Sequence, residues 1–268
     1  MKTKKKIHYG MLGCLLVMAT ACSTDIEHKR TTPSYMDVTT IAEVLPDLYF
    51  EVPKTGATTK AVDVSKETAT IDKIVCFEDT KNGDHDYNDL VLYIRTVKNG
   101  GNIKFQIKPM AMGATLRFGL GVKAVGQDGT TELYNEVIIN DVRTTLFNGD
   151  PGFINTVIGE PFKDYPINSD YAIKKGGNQR DICKIYFYIV VNGTPMYAGT
   201  EGAPMDIEGK PYGIILLSND FKYPAEIVHI NRVYSGCESW FDGSNPYYRF
   251  NNPQGDYIDA PFEKVKFN

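Results

Sequence analysis

Between two apolar runs, Ile74–Phe77 and Leu90–Ile94, the chain crowds five carboxylates (Glu78, Asp79, Asp84, Asp86, Asp89) and two asparagines (Asn82, Asn88) into one short stretch. Nothing else in the sequence restricts the fold as strongly. Like charges brought together repel one another and lose hydration, so the flanking runs can pair only if the acids stay in water or share a cation. Asn82-Gly83 turns the chain inside the stretch. The flanks are short and rich in β-branched residues, which suits strands rather than helices. The segment therefore reads as strand, acidic loop, strand.

The rest of the body repeats the strand pattern. Ile103, Phe105 and Ile107 alternate with Asn102, Lys104, Gln106 and Lys108, the mark of a strand with one wet face. Leu116, Phe118, Leu120 and Val122 keep the same period, with Gly119 and Gly121 between them. The runs over 90–94, 182–191 and 213–217 are denser and suit strands covered on both faces or set in a sandwich core. Turn residues separate them at 99–101, 128–129, 148–151, 176–178 and Asn192-Gly193. The 17 tyrosines favour strands as well. Apart from a short turn over 39–45, no stretch repeats at helical spacing. The expected fold is all-β, an antiparallel β-sandwich of jelly-roll-like form with long loops and no internal repeat.

The N-terminus sets the compartment. Lys2, Lys4, Lys5 and Lys6 precede a short apolar core from Met11 to Ala19, which reads as a secretory signal. That core falls short of the roughly 20 apolar residues a spanning helix needs. Ala19-Thr20-Ala21 before Cys22 resembles a bacterial lipobox, which makes residues 1–21 a lipoprotein signal peptide and Cys22 the lipidated first residue of the mature chain. Several acyl chains on one residue anchor stably. Residues 22–40, polar and carrying Pro33, read as a flexible tether, and 41–268 as one β-sandwich domain. Asp25 and Glu27 resemble the export signal of surface lipoproteins in the Bacteroidetes lineage, which points to the outer membrane and to surface display. Removing residues 1–21 takes away four lysines and no acid, leaving 25 basic against 33 acidic residues. Such a surface does not seek nucleic acid or anionic lipid, so membrane attachment must come from the lipid anchor.

Three cysteines remain in the body, Cys76, Cys183 and Cys237. An odd number cannot all pair internally. Cys76 and Cys183 lie in apolar runs and read as core filling, whereas Cys237 lies in a polar loop and is open to pairing.

Within the acidic stretch, Asp84, Asp86 and Asn88 alternate as oxygen ligands do in calcium loops. An EF-hand does not fit. Asp89 stands where that loop needs glycine, Arg95 where it needs glutamate, and the flanks are strands. Glu78, Asp79, Asp84, Asp86, Asn88 and Asp89 remain as candidate ligands, with calcium as the expected ion. One histidine, His85, without a close thiol pair does not suit zinc. The plain alternative is a hairpin whose acids are solvated or cap backbone amides. A catalytic carboxylate pair of the glycosidase kind is a further alternative. No nucleophile elbow, zincin helix or phosphate loop occurs, and the chain is expected not to be an enzyme. Trp240, Tyr247, Tyr248 and Arg249, set among asparagines and glycines, offer a candidate ligand platform, with packing of the loop onto the sandwich as its competitor.

Residues 77–79, followed after a short loop by 83–91, resemble the signature of LruC-type domains, which occur in bacterial surface lipoproteins and have no assigned activity. The glycine-bearing segment 113–121 and the block 221–230, continuing through Tyr234 to Trp240, are similar to later parts of that family in the same order. The resemblance spans about residues 70 to 242, and residues 241–268 run beyond it. It implies a β-rich extracytoplasmic module and favours calcium. The expected function is a lipid-anchored envelope protein with a binding or adhesion role toward a glycan or protein at the cell surface. The alternatives are an accessory subunit of a fimbria or nutrient-uptake complex, or a glycan-active enzyme.

Overall fold

A computed structural model of the chain describes residues 68–267, apart from 81, 100–101, 127–129, 174–181, 200–209, 217–219, 243 and 246–247. The signal, Cys22, the tether and the start of the domain at residue 41 lie outside the described residues. Eleven strands are present among them: β1 (Thr68–Phe77), β2 (Leu90–Asn99), β3 (Asn102–Ala111), β4 (Phe118–Gly126), β5 (Glu132–Ile139), β6 (Asn168–Ala172), β7 (Ile182–Val191), β8 (Thr194–Tyr197), β9 (Gly213–Leu216), β10 (Tyr223–Pro224) and β11 (Tyr257–Ile258). Three helices of about one turn join them: α1 (Val142–Leu146), α2 (Ile230–Val233) and α3 (Glu238–Phe241).

The two main sheets run in the orders β6-β3-β2-β1-β9 and β5-β4-β7-β8, every named pair antiparallel. They pack face to face as a sandwich, in keeping with the expected fold. Strict alternation in β3 turns Ile103, Phe105 and Ile107 inward while Asn102 and Lys104 face solvent. Leu120, Val122 and Ala124 of β4 and Ile185, Phe187 and Ile189 of β7 answer from the other sheet. Phe105 and Phe187 meet edge to face, ring centroids 5.5 Å apart. Each such side chain contributes about 1.5–3 kcal/mol by leaving water. The β7–β8 turn, Asn192-Gly193, holds both residues at positive φ (50° and 79°), as a two-residue hairpin requires. Leu116 does not continue the alternation of β4. It lies before the strand and is exposed.

The denser runs have a separate cause. The outer face of the first sheet is covered by the C-terminal segment, so β1 and β2 are apolar on both sides. Ile74, Cys76, Val91, Tyr93 and Met110 pack beneath Phe221, Tyr223, Ile230, Val233, Tyr234, Phe250 and Phe262. Cys237 belongs to this second core rather than to a polar loop, and the described thiols of Cys76 and Cys237 are free. In β7 the face away from the core carries Lys184, Tyr186, Tyr188 and Val190, and Tyr188 lies across Gly121 so closely that a Cβ there would stand 2.1 Å from its ring.

Candidate metal centre

Strand β1 ends at Phe77 opposite Leu90 of β2, so the acidic stretch is a hairpin loop running from Glu78 to Asp89. Neighbouring elements hold it from three sides. The Glu78 amide donates to the Tyr212 carbonyl at 2.8 Å, the Gly113 amide to the Asn88 carbonyl at 2.9 Å, and the Ile230 amide to the His85 carbonyl at 2.8 Å. The approach of Gly113 follows from a bulge. Val91 pairs with Ala111 and Leu92 with Pro109, which leaves Met110 as the extra residue. A bulge bends its strand, and proline is tolerated there because no ladder bond is demanded of it.

Inside the loop, His85 and Tyr87 both adopt φ of 53°, a left-handed conformation uncommon for such residues. This places alternate side chains on one side of the chain. The carboxylate oxygens of Glu78, Asp84 and Asp86 converge so that one from each lies within 4.8 Å of the others. Among the described residues this is the one group of three or more histidines, cysteines or acids close enough to hold a metal ion. Glu78 and Asp86 are buried and Asp84 is exposed. Glu78 Oε1 accepts from the Tyr87 amide at 2.5 Å, while Glu78 Oε2 is buried with no protein donor. Asp86 Oδ1 accepts from the Asn88 amide at 3.0 Å and Oδ2 from the Ile227 amide at 2.9 Å.

The other expected ligands sit alongside. Asp89 Oδ2 accepts from the Asp79 amide at 2.7 Å. Asn88 is fully buried, its Nδ2 donating to the Pro224 carbonyl at 3.1 Å while its Oδ1 has no donor. Sequence reasoning missed Glu226. It reaches the same cluster from the segment after β10, and its Oε2 is also buried without a donor. The signal was available, because Glu226 is the lone acid in the otherwise largely apolar block 221–230.

Burial and crowding act together on these acids. Glu78 is pushed well above the ordinary carboxylate range by burial and by Asp86 and Asp89. Asp86 rises to about 8 through burial and the charge of Asp84. Asp89 rises to about 8 through burial and the charge of Asp79. Burial raises Asp79 and Glu226 too. A hard cation among these oxygens would oppose both effects and supply a partner for the orphaned acceptors. The cluster is thus able to coordinate a metal ion.

Next to the loop, His85 meets His229 edge to face at 5.4 Å, and Lys210 Nζ lies 3.0 Å from His229 Nε2 and 3.5 Å from His85 Nδ1. His85 therefore has a second histidine beside it that its position in the sequence did not suggest. The candidate platform is an interlocked ring cluster. Trp240 stands edge-on to Phe241 and Phe250, each at 5.5 Å, and Tyr248 packs on Phe250 at 5.1 Å while its hydroxyl donates to the Ser235 carbonyl. Arg249 is exposed, and Tyr247 lies outside the described residues.

No family model matches this chain, and no curated protein matches it. Among solved structures, a protein of Bacteroides ovatus named as a lipoprotein is weakly similar. The match has a TM-score of 0.43 and 15% identity over 70% of this chain and 76% of the other.

Proposed function

We propose that the chain is a lipid-anchored binding module of the bacterial cell envelope, of the LruC type, whose β1–β2 loop is locked by calcium. The observation that carries this reading is the buried, unpartnered Glu78 Oε2 converging with Asp84 and Asp86. An unmet buried acceptor costs about 1–3 kcal/mol, and more when charged. A donor set made only of oxygens suits calcium, which accepts irregular shells of six to eight ligands completed by carbonyls and water. The ion's role here is mechanical. It ties the start of the loop at Glu78 to Asp84 and Asp86, and so holds the surface loop in one shape for recognition. Buried carboxylates gathered around one point favour this over proton transfer to a substrate. Cys22, following the signal, supplies the attachment to the outer membrane.

Thermal unfolding of the protein in millimolar calcium and in chelator tests the ion. At a hundredfold excess over Kd the folded state gains about 2.7 kcal/mol, or roughly 5–11 °C for a chain of this size. Equal melting temperatures in the two conditions would sink the reading. For the anchor, detergent phase partition of the wild type and of Cys22→Ser should separate them, with only the wild type entering the detergent phase.

A further inference from the structure

The outer face of the second sheet carries side chains that the calcium loop does not use. Ile185, Phe187 and Ile189 of β7 and Met196 of β8 point into the core, so strand alternation turns Lys184, Tyr186, Tyr188 and Tyr197 away from it. Tyr188 stands opposite Tyr197 across the β7–β8 pair, their ring centroids 4.9 Å apart at 43°. Tyr186 meets Tyr197 edge to face at 6.5 Å. The three rings form one cluster, in which Tyr188 is buried while Tyr186 and Tyr197 are half-buried. On β4, Gly121 pairs with Tyr188, and only the missing Cβ lets that ring lie across the strand. Glycine weakens a strand interior and often marks such a close approach.

Polar groups are set among the rings. Lys123, the β4 partner of Tyr186, holds its Nζ 5.9 Å from the Tyr197 centroid and 3.4 Å from Glu132 Oε2. Lys184 Nζ lies 4.9 Å from the Tyr186 centroid. The Tyr188 hydroxyl donates to Asn135 Oδ1 at 2.8 Å, and Asn135 Nδ2 donates to Glu132 Oε2 at 3.2 Å. Because Asn135 of β5 pairs with Lys123, the strip crosses all four strands from β5 to β8. The outer face of the first sheet, which protein does cover, presents Ile74, Cys76, Val91 and Met110 instead. The centres of protein interfaces are likewise poor in lysine and glutamate. Rings interleaved with hydroxyl, amide, ammonium and carboxylate groups suit a different ligand, one with flat apolar faces and hydroxyl groups at its rim. A pyranose ring has that form, and charges of both signs on the strip favour a neutral sugar chain over a polyanion.

We infer that the outer face of the β5-β4-β7-β8 sheet binds a neutral glycan, with sugar faces against Tyr186 and Tyr197 and sugar hydroxyls met by Lys123, Lys184 and Asn135. Tyr188, seated on Gly121 and hydrogen-bonded to Asn135, positions the other two rings. The inference gives the binding role proposed above a surface and a ligand class. It rests on that role and not on the metal ion.

Affinity electrophoresis of the protein in millimolar calcium tests it, through native gels containing soluble mannan, xylan, galactan or mixed-linkage glucan, with polygalacturonate as the polyanion. The wild type should be retarded in at least one neutral gel. Tyr186→Ala and Tyr197→Ala should each weaken that binding by about tenfold or more while melting as the wild type does. Gly121→Ala, which unseats Tyr188, should weaken it as well; should that variant fail to fold, the two tyrosine variants decide. Free migration of the wild type in all four neutral gels overturns the inference, as does retardation that both tyrosine variants retain. Retardation by polygalacturonate alone, abolished by salt, overturns it too, since the lysines would then act without the rings. A wild-type dimer in sedimentation that Tyr197→Ala dissociates would give the face to a second copy of the chain and overturn the glycan. With calcium present throughout, none of these failures bears on the ion, which keeps its own melting test.

Discussion

Stripping divalent ions from the protein and raising the pH from about 5 to about 7 tests the electrostatics of the acidic loop directly. Asp86 titrates at about 8 in the folded chain against 3.8 in the unfolded one, because it is buried beside Asp84. A carboxyl raised in this way keeps its proton when folded and has lost it when unfolded. Its stabilising effect is complete below the unfolded value and disappears as pH climbs through the folded value. Each proton so retained lowers stability by about 1.4 kcal/mol per pH unit. Over two units, one proton amounts to about 2.7 kcal/mol and two, if Asp89 holds its own as well, to about 5.5 kcal/mol. At roughly 2–4 °C per kcal/mol, the metal-free protein should melt at least about 5 °C lower at the higher pH. The carboxyls of Asp141 and Asp150 are lowered rather than raised, so they have finished titrating below this window and do not oppose the trend. Calcium replaces the protons, so saturating metal should flatten the slope and widen the gap between the two forms as pH rises. Differential scanning calorimetry at the two pH values reads all four states, and Asp86→Asn should remove about one proton's worth of slope. A metal-free melting temperature that is level or rises over this window would refute the reasoning. It would mean that the acids are solvated and titrate normally.

Three substitutions at residues that are not themselves ligands probe the frame. Phe187→Ala opens a cavity against Phe105 between the sheets and should cost about 3–5 kcal/mol equally in calcium and in chelator, measured by denaturant unfolding. Asn155 donates to the Met110 and Lys163 carbonyls at 2.7 and 2.8 Å and accepts from the Lys163 amide at 2.7 Å, all from a left-handed φ of 58°. Asn155→Ala loses all three bonds and should cost about 3 kcal/mol in the same assay. Ile227 is 75% exposed at φ of 59°, so Ile227→Asn gives up little buried surface and relieves backbone strain. It should raise the melting temperature by about 1 kcal/mol equivalent, roughly 2–4 °C, in chelator.

Much of the sandwich was legible because period-two patterns are local. The alternation at Ile103, Phe105 and Ile107 marks an inner face on its own, and Asn192-Gly193 forces a tight hairpin whatever surrounds it. The apolar flanks of the acidic loop pair without a gap, as two short β-rich runs around a turn should. The C-terminal cover was hidden for the opposite reason. Residues 221–262 hold two strands of two residues each and single helical turns, so no period announces that Phe221, Tyr234 and Phe250 form a second core. Cys237 was misjudged on the same ground, since polar neighbours such as Ser235, Glu238 and Ser239 mask a side chain that points inward.

The candidate metal centre divides along the same line. Its loop ligands stand within a dozen residues of one another, and their oxygen chemistry shows in the string of letters. Glu226 enters only through tertiary structure. What brings it there is a short, strained path. Ile227 holds a conformation that β-branched residues avoid, at a cost of order 1–3 kcal/mol. It persists because the chain is fixed on either side. The Glu226 amide donates to the Thr156 carbonyl at 3.0 Å, the Val228 amide to the Ala225 carbonyl at 3.0 Å, and the Ile230 amide to the His85 carbonyl at 2.8 Å. Between these anchors the Ile227 amide is turned onto Asp86 Oδ2 at 2.9 Å. Strain held in place by its surroundings, and ending on a buried carboxylate, belongs with ordering a site rather than with stabilising a fold. If Ile227→Asn stabilises the metal-free chain yet weakens calcium binding, that division of roles is the reason.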